Sequence, residues 1–325
     1  MLKITGLQKR YKGYSVLRDL NMNVEKGDVY GFIGTNGCGK TTTMNIICNI
    51  IPKDSGAIAF ECPDVKIGFL PESPALYGYM NGYEYLDYIG ACCAYAGDIK
   101  ARTAQVLAMT GMTGSADRLI KGYSRGMNQR IGIAAALYSS PDLLILDEPT
   151  SALDPEGRAE VMDIIQNLAA TGATIILCTH ILADIERVAN KVGILRNGVM
   201  AVEGTIQDIK RKFAVGNALH IKLRHAPADD DPLRTMEYVE RSEIWHGGVT
   251  LYARPHVSEA EFFYKTISTL HTHRIVPESI EFKRLTLEQI YIGINNGALD
   301  GKRDFDAPGI PGAHSLPMQH GRDDL

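Results

Sequence analysis

Hydrophobic and polar positions follow different rhythms along this chain. Residues 1–33 alternate in short runs, and "SVLRDLNMNVEKGDVYGFI" alternates around the turn Glu25-Lys26-Gly27-Asp28, the pattern of strands. "KTTTMNIICNII" has helical length and stops at Pro52, while "SGAIAF" and "KIGFL" are strand-sized. Residues 82–110 read as helix, with Tyr85, Leu86, Ile89 and Cys93 near one face. "DLLILD" and "ATIILCT" are unbroken apolar runs, as expected of strands buried on both faces. Between them Asp154-Pro155 opens a helix that ends before Gly172. "LADIERVANK" is a short helix, "VGILRNGVMAVEG" a hairpin about Asn197-Gly198, and Thr205 with Asp208 has the spacing of a capping box. Buried strands alternating with helices predict an α/β fold with a parallel, helix-covered sheet.

The texture changes at about residue 215. "ALHIKL", a hairpin turning at Gly247-Gly248, the helix "SEAEFFYKTISTLH", "VPESIEF" and a closing helix "LTLEQIYIGI" predict a small α+β domain. The expected organisation is a domain over 1–213, an accessory domain over 214–296, and a tail over 297–325. Gly, Pro, Asp and His dominate that tail, which predicts disorder.

Composition narrows the picture. The 325 residues, 45% hydrophobic and 22% charged, suffice for one large and one small domain. A net charge of −4 carries no nucleic-acid signature. The six cysteines lie at irregular spacings without a CxxC pair, which argues against zinc and for buried, reduced thiols. "MLKITGLQKRYKG" is not a signal peptide, and no window approaches the roughly 18 apolar residues of a spanning helix. The expectation is a cytoplasmic protein that acts at a membrane only through a partner.

The chemistry starts at "GTNGCGKTTT". Gly34, Gly39, Lys40 and Thr41 satisfy G-x-x-x-x-G-K-[ST] between a predicted strand and a predicted helix. Glycines let backbone amides wrap a phosphate at the positive end of a helix, Lys40 reaches the β- and γ-phosphates, and the Thr41 hydroxyl can ligate Mg²⁺. "LLILDEPTSALD" puts Asp147 and Glu148 at the carboxyl end of a buried strand, where ligands bind. Asp147 suits Mg²⁺, and Glu148 suits a water to be polarised, so a second acid points to hydrolysis. Taken singly, Ser124 in "GYSRGMNQR" is a helix N-cap, His180 in "CTHIL" a structural histidine, and Tyr11 a surface or core aromatic. Cys38, beside Lys40 and the helix end, is expected to be the most reactive thiol.

Together these segments resemble the ATP-binding cassette of ABC transporters, in order and spacing, over residues 1 to about 213. The resemblance implies a P-loop NTPase fold: a mixed sheet core with an antiparallel β lobe and a helical subdomain. It implies that Tyr11 stacks on adenine and that Gly34, Thr35, Asn36, Gly37, Cys38, Gly39, Lys40, Thr41 and Thr42 form the Walker A loop. "YSRGM" stands at the signature usually read LSGGQ, so Ser124 and Gly126 would contact the γ-phosphate across a dimer. Asp154 closes the "SALD" loop that links the two sites, and His180 matches the histidine that senses the γ-phosphate. Glu72 in "GFLPESPALYG" stands where a glutamine usually meets Mg²⁺ and the membrane partner. "YSRGM", "LPE" and a C-terminal domain ending like "LTLEQIY" are similar to an exporter branch of the family. The implied function is an ATPase subunit that uses ATP and Mg²⁺, pairs with a second cassette and drives a separate transmembrane permease from the inner membrane face. Tyr77, Tyr79, Tyr83, Tyr85 and Tyr88 fit either a surface for that permease or the cover of the chain's own helical part. The alternative is a soluble cassette ATPase working as a switch or regulatory module.

Overall fold

The computed structural model describes residues 1–213, 218–224, 233, 235–254, 256–283, 286–297 and 299. It divides into two units, Met1–Ile209 and one that starts at Lys210. The first unit opens with β1 (Leu2–Tyr11), β2 (Tyr14–Val24), β3 (Val29–Gly34), α1 (Lys40–Ile47), β4 (Ser55–Phe60) and β5 (Ile67–Leu70). Helices α2 (Gly82–Cys92), α3 (Ile99–Met109) and α4 (Arg125–Leu137) follow. The chain then runs through β6 (Leu143–Asp147), α5 (Pro155–Ala170), β7 (Thr174–Cys178), α6 (Leu182–Val188), β8 (Lys191–Arg196), β9 (Val199–Thr205) and α7 (Ile206–Lys212). The division between units therefore falls inside α7 rather than after Phe213.

A six-stranded sheet has the order β5-β6-β7-β3-β8-β9, parallel except for β9, which returns antiparallel on β8 about Asn197-Gly198. Every residue of β3, β6 and β7 is buried, which is why these strands read as continuous apolar runs. A three-stranded antiparallel sheet, β2-β1-β4, forms the β lobe. One hydrophobic cluster joins the sheets: Leu2, Ile4, Leu17 and Leu20 of the lobe meet Tyr30 and Phe32 of β3 and Met44 and Ile47 of α1. The loop between β3 and α1 is thereby anchored on both sides. The turn at residues 25–28 does not close a hairpin, because β2 and β3 belong to different sheets. Alternation marks a strand's faces but does not name its neighbour.

The expected helix over 82–110 is two helices. Ala94 adopts φ 48°, and the Asp98 carboxylate then accepts from the Ala101 amide to start α3. Tyr85 and Leu86 are buried as expected, whereas Cys93 ends α2 exposed. Arg102 of α3 clamps the end of α4, its guanidinium donating to Tyr138 O (2.9 Å) and Leu137 O (2.5 Å). At the start of α7 the Thr205 hydroxyl accepts from the Asp208 amide and donates to the Asp208 carboxylate.

The second unit contains β10 (Ala218–Lys222), β11 (Val239–Trp245), β12 (Gly248–Ala253), α8 (Glu259–Thr272), β13 (Ser279–Phe282) and α9 (Leu287–Asn295). Its antiparallel sheet has the order β11-β12-β10-β13. Leu219, Ile221, Val249 and Leu251 of the sheet pack with Phe262 and Leu270 of α8. The β11–β12 turn is His246-Gly247, one residue earlier than expected, with Gly247 at φ 103° and Gly248 already paired in β12. Most of the tail expected to be disordered lies outside the described residues.

Candidate active site

β3 runs out of the sheet at Gly34, and the chain reaches α1 through a loop that needs glycine at specific points. A Cβ on Gly34 would lie 2.4 Å from Cys38 Sγ and 2.8 Å from Leu195 O, too close for any side chain. Gly37 (φ 77°) and Gly39 (φ 114°) take left-handed conformations. Gly39 is also the N-cap of α1 and brings no side chain to the first-turn amides, and no acid occupies that turn. The helix thus presents bare N–H groups and its positive dipole end, the arrangement that holds phosphate. Lys40 is buried beside it, with Nζ donating to Gly34 O (2.7 Å) and Thr35 O (3.4 Å).

The exits of β6 and β7, neighbours in the sheet, supply the acids and the imidazole. Glu148 sits just past β6 with φ 48°, a strained conformation for a residue with a side chain. Its amide donates to Cys178 O at 2.8 Å. Its Oε2 is 2.9 Å from His180 Nδ1, and its Oε1 is 3.9 Å from Lys40 Nζ. The buried carboxylate therefore stands between a lysine and a half-exposed imidazole.

Asp147 lies one residue back, 1% exposed, and its Oδ2 accepts from the Thr41 hydroxyl at 2.8 Å. Burial pushes its carboxyl above the usual range; Glu148 and Glu72 add to the rise, while the Thr41 hydroxyl and Lys40 oppose it. Its Oδ1 is buried without a hydrogen-bond partner. A hydroxyl and a carboxylate with an unused hard oxygen suit Mg²⁺, which prefers one or two protein ligands beside phosphate and water. The described residues contain no cluster of three or more His, Cys, Asp or Glu side chains able to hold a metal by themselves.

Lys40, Thr41, Glu148 and His180 line one cleft of about 460 Å³, which Asp147 does not border but meets through its bond to Thr41. Tyr11, Asn36, Gly37, Gly39, Lys40, Thr41, Thr42, Glu72, Glu148 and His180 all border it, joined by Val16 and Ser151. Tyr11 stands at the lobe side, 45% exposed, with Lys9 Nζ 5.4 Å from its ring centre. The cleft can take a phosphorylated ligand at α1, a flat ring at Tyr11 and a water beside Glu148.

A family model described as ABC transporter matches residues 17–151. The lantibiotic transport ATP-binding protein SrtF of Streptococcus pyogenes is 38% identical over 209 residues, which are 62% of this chain and 90% of that protein. This chain belongs to the ABC transporter ATP-binding proteins. It is accordingly an ATPase. The likeness continues past the cassette: the daunorubicin resistance ATP-binding protein DrrA3 of Streptomyces coeruleorubidus is 28% identical over 307 residues, 90% of this chain and 94% of that protein. Among solved structures, the dimeric post-hydrolysis state of the ATP-binding cassette MJ0796 bound to ADP and Pi matches with a TM-score of 0.57. At 24% identity, over 63% of this chain and 98% of that one, it is a likeness of fold.

Other expected site residues of this ABC cassette lie apart from the cleft. Ser124 is the N-cap of α4, accepting from the Met127 amide at 3.2 Å, and Gly126 lies in the first turn of that helix. Asp154 is the N-cap of α5, accepting from the Gly157 amide at 3.1 Å. None of the three borders the cleft within one chain. Glu72 borders it and also a second cleft, which is walled by Arg125, Asn128, Gln129 and the loop residues Ser151, Ala152 and Leu153.

The expectations for the cysteines need correction. Cys38 lies in the glycine loop between Gly34 and Lys40, but its Sγ turns under Gly34 into the hydrophobic cluster. Burial pushes its thiol up, against the lowering effect of Lys40 and the loop amides. It is not an activated thiolate. Cys92 and Cys93 are exposed rather than buried, and Cys62, which precedes Pro63, is exposed as well.

Sequence reasoning passed over Asp184, only 3% exposed, and its partners Thr150 and Arg158. A carboxylate inside "LADIERVANK" reads as a solvated helix position, and nothing local signals that it is buried.

Proposed function

We propose that this chain is the motor subunit of an exporter, working as one of two cassettes on a separate transmembrane protein. One observation carries the reading: within a single chain the cleft is bordered by Asn36, Gly37, Gly39, Lys40, Thr41, Glu148 and His180, with Asp147 joined to it through Thr41, while Ser124 and Gly126 do not border it. The missing wall is then the α4 terminus of a second copy or a paralogue, closing over the γ-phosphate. The MJ0796 cassette, similar in fold, is dimeric with ADP and Pi bound, which supports this arrangement.

In the proposed cycle Tyr11 holds the adenine and the loop amides with Lys40 hold the phosphates. Thr41 and Asp147 would hold Mg²⁺, with Glu72 at the edge of the same site; the ion neutralises phosphate charge. Glu148 polarises the attacking water, and His180 orients it from the neighbouring strand exit. Hydrolysis reopens the pair, and the closing and opening is the stroke passed to the membrane subunit. The name of SrtF refers to transport and that of DrrA3 to drug resistance, which supports export.

No helix among the described residues is long and apolar enough to cross a membrane, so the substrate pathway is assigned to the partner, with the cassette on the cytoplasmic face. The partner's place is assigned to the tyrosine patch after Glu72. Tyr77 packs against Tyr79, Tyr85 and Tyr88 at ring distances of 5.7, 6.2 and 5.6 Å. Tyr85 is buried, while Tyr77, Tyr79 and Tyr88 stay exposed, so part of the patch is core and part is surface.

The test is ATP-driven association of the full chain, followed by light scattering. A Glu148→Gln chain dimerises on adding Mg·ATP, and a Ser124→Arg change in that background blocks dimerisation while the monomer still binds nucleotide. A dimer of undiminished stability with Ser124→Arg reduces Ser124 to a helix cap and removes the shared site.

A further inference from the structure

We infer that Asp184 is a positioning residue that holds Glu148 opposite His180, acting through Thr150 and Arg158. The inference rests on the catalytic reading of that pair. Asp184 lies in the first turn of α6, just beyond His180, and Thr150 follows Glu148 after one proline. The Thr150 hydroxyl donates to Asp184 Oδ2 at 2.7 Å. Arg158, in the first turn of α5, donates from Nε (2.9 Å) and Nη2 (2.7 Å) to Asp184 Oδ1. The two strand exits that carry the reacting pair are therefore tied together a second time, behind the pair.

A buried carboxylate is costly unless it is paired and hydrogen-bonded, and here both oxygens are used. The tie falls where the backbone needs it. Glu148 is left-handed at φ 48°, and such a conformation persists only where its surroundings over-determine it. The Glu148 amide is fixed to Cys178 O, its carbonyl accepts from the Ser151 amide at 3.1 Å, and the Thr150 side chain is fixed to Asp184. Arg158 closes the far side, because its amide donates to Asp154 O at 2.9 Å, where the loop ends. Lys40, Thr41 and the glycine loop make none of these bonds. Releasing the tie should therefore let Glu148 drift from His180 without disturbing the phosphate site.

The experiment uses the full chain with Thr150→Val, which keeps the shape and removes the donor, and Thr150→Ser, which keeps the hydroxyl. Misplacing a catalytic group by about 1 Å costs up to about a hundredfold, so Thr150→Val should lose about ten- to a hundredfold in kcat. KM and the affinity for a fluorescent ATP analogue should stay within about twofold, the pattern of a loss felt only in the transition state. Thr150→Ser should restore most of the turnover. The imidazole nitrogen resonance of His180 should move in Thr150→Val in the direction expected for Glu148→Gln, where its partner's charge is gone.

Wild-type kcat in Thr150→Val overturns the proposal. So does an equal loss in Thr150→Ser, or a rise in KM parallel to the fall in kcat, since either marks general damage. If Thr150→Val does not fold, Asp184→Asn, which keeps an acceptor for Thr150, is compared with Asp184→Ala, and equal kcat in the two has the same consequence. Wild-type turnover in Glu148→Gln removes the catalytic reading and this inference with it. Loss in Glu148→Gln with wild-type turnover in Thr150→Val removes the positioning role alone.

Discussion

Replacing Glu148 with glutamine removes one negative charge and leaves the shape of the site intact. Lys40 keeps its 2.7 Å bond to Gly34 O, because its 3.9 Å approach to Glu148 is a charge contact and not a hydrogen bond. Thr41 and Asp147 keep their 2.8 Å bond, so the groups assigned to Mg·ATP are undisturbed. On the proposed role, the function lost is acceptance of a proton from water. General-base catalysis is worth about 10²–10⁴ in rate, or about 2.7–5.4 kcal/mol at 1.36 kcal/mol per tenfold. Among the described residues Glu148 is the carboxylate bonded to His180, and an amide takes no proton at neutral pH, so the upper half of that range is expected: a loss of at least about a thousandfold. The assay is phosphate release by the full chain under multiple- and single-turnover conditions, beside titration with a fluorescent ATP analogue. Affinity should stay within about threefold of wild type, because the interaction lost is made in the transition state. Turnover within about threefold of wild type refutes the base assignment. Nucleotide binding lost in step with turnover refutes the separation of the phosphate site from the water site.

Maleimide labelling followed by mass spectrometry should modify Cys62, Cys92 and Cys93 first and leave Cys38 and Cys178 slow, with or without nucleotide; rapid labelling of Cys38 contradicts its burial. Gly34→Ala forces a Cβ against Cys38 Sγ and Leu195 O and should cost about 1–3 kcal/mol of stability together with ATP binding, and an unchanged melting temperature would show that the loop yields freely. Burial raises the Cys48 thiol from 9.0 to about 12, so the folded state keeps a proton that the unfolded chain releases above pH 9. Its contribution to stability is complete below pH 9 and is lost as pH rises towards about 12, so Cys48→Ala should flatten denaturation curves measured across that window, and unchanged curves would remove the effect.

The phosphate loop was legible because its chemistry is contiguous: a strand, glycines at positions that admit no side chain, a lysine and a helix start all lie between Val29 and Ile47. The buried strands β6 and β7 were legible for the same reason, since unbroken apolar runs follow directly from burial on both faces. From these alone came the α/β class, nucleotide binding and the acids at a strand end. The resemblance to a family supplied the roles of Tyr11, Ser124 and His180, which their own surroundings do not. The break of the 82–110 helix was marked locally by Gly97 and by the Asp98 cap, but the apolar rhythm on either side of them read as one continuous helix. Only the tertiary structure decided which distant groups meet. His180 reaches Glu148 from 32 residues away, and Thr41 reaches Asp147 from 106, because β7 pairs beside β6 and α1 leaves β3 in the same sheet. It decided too that Cys38 turns inward and that Asp184 is buried against Thr150 and Arg158. Sequence records what each short segment needs from its surroundings; which surroundings it finds is set by long-range packing, where strand order and burial are chosen together.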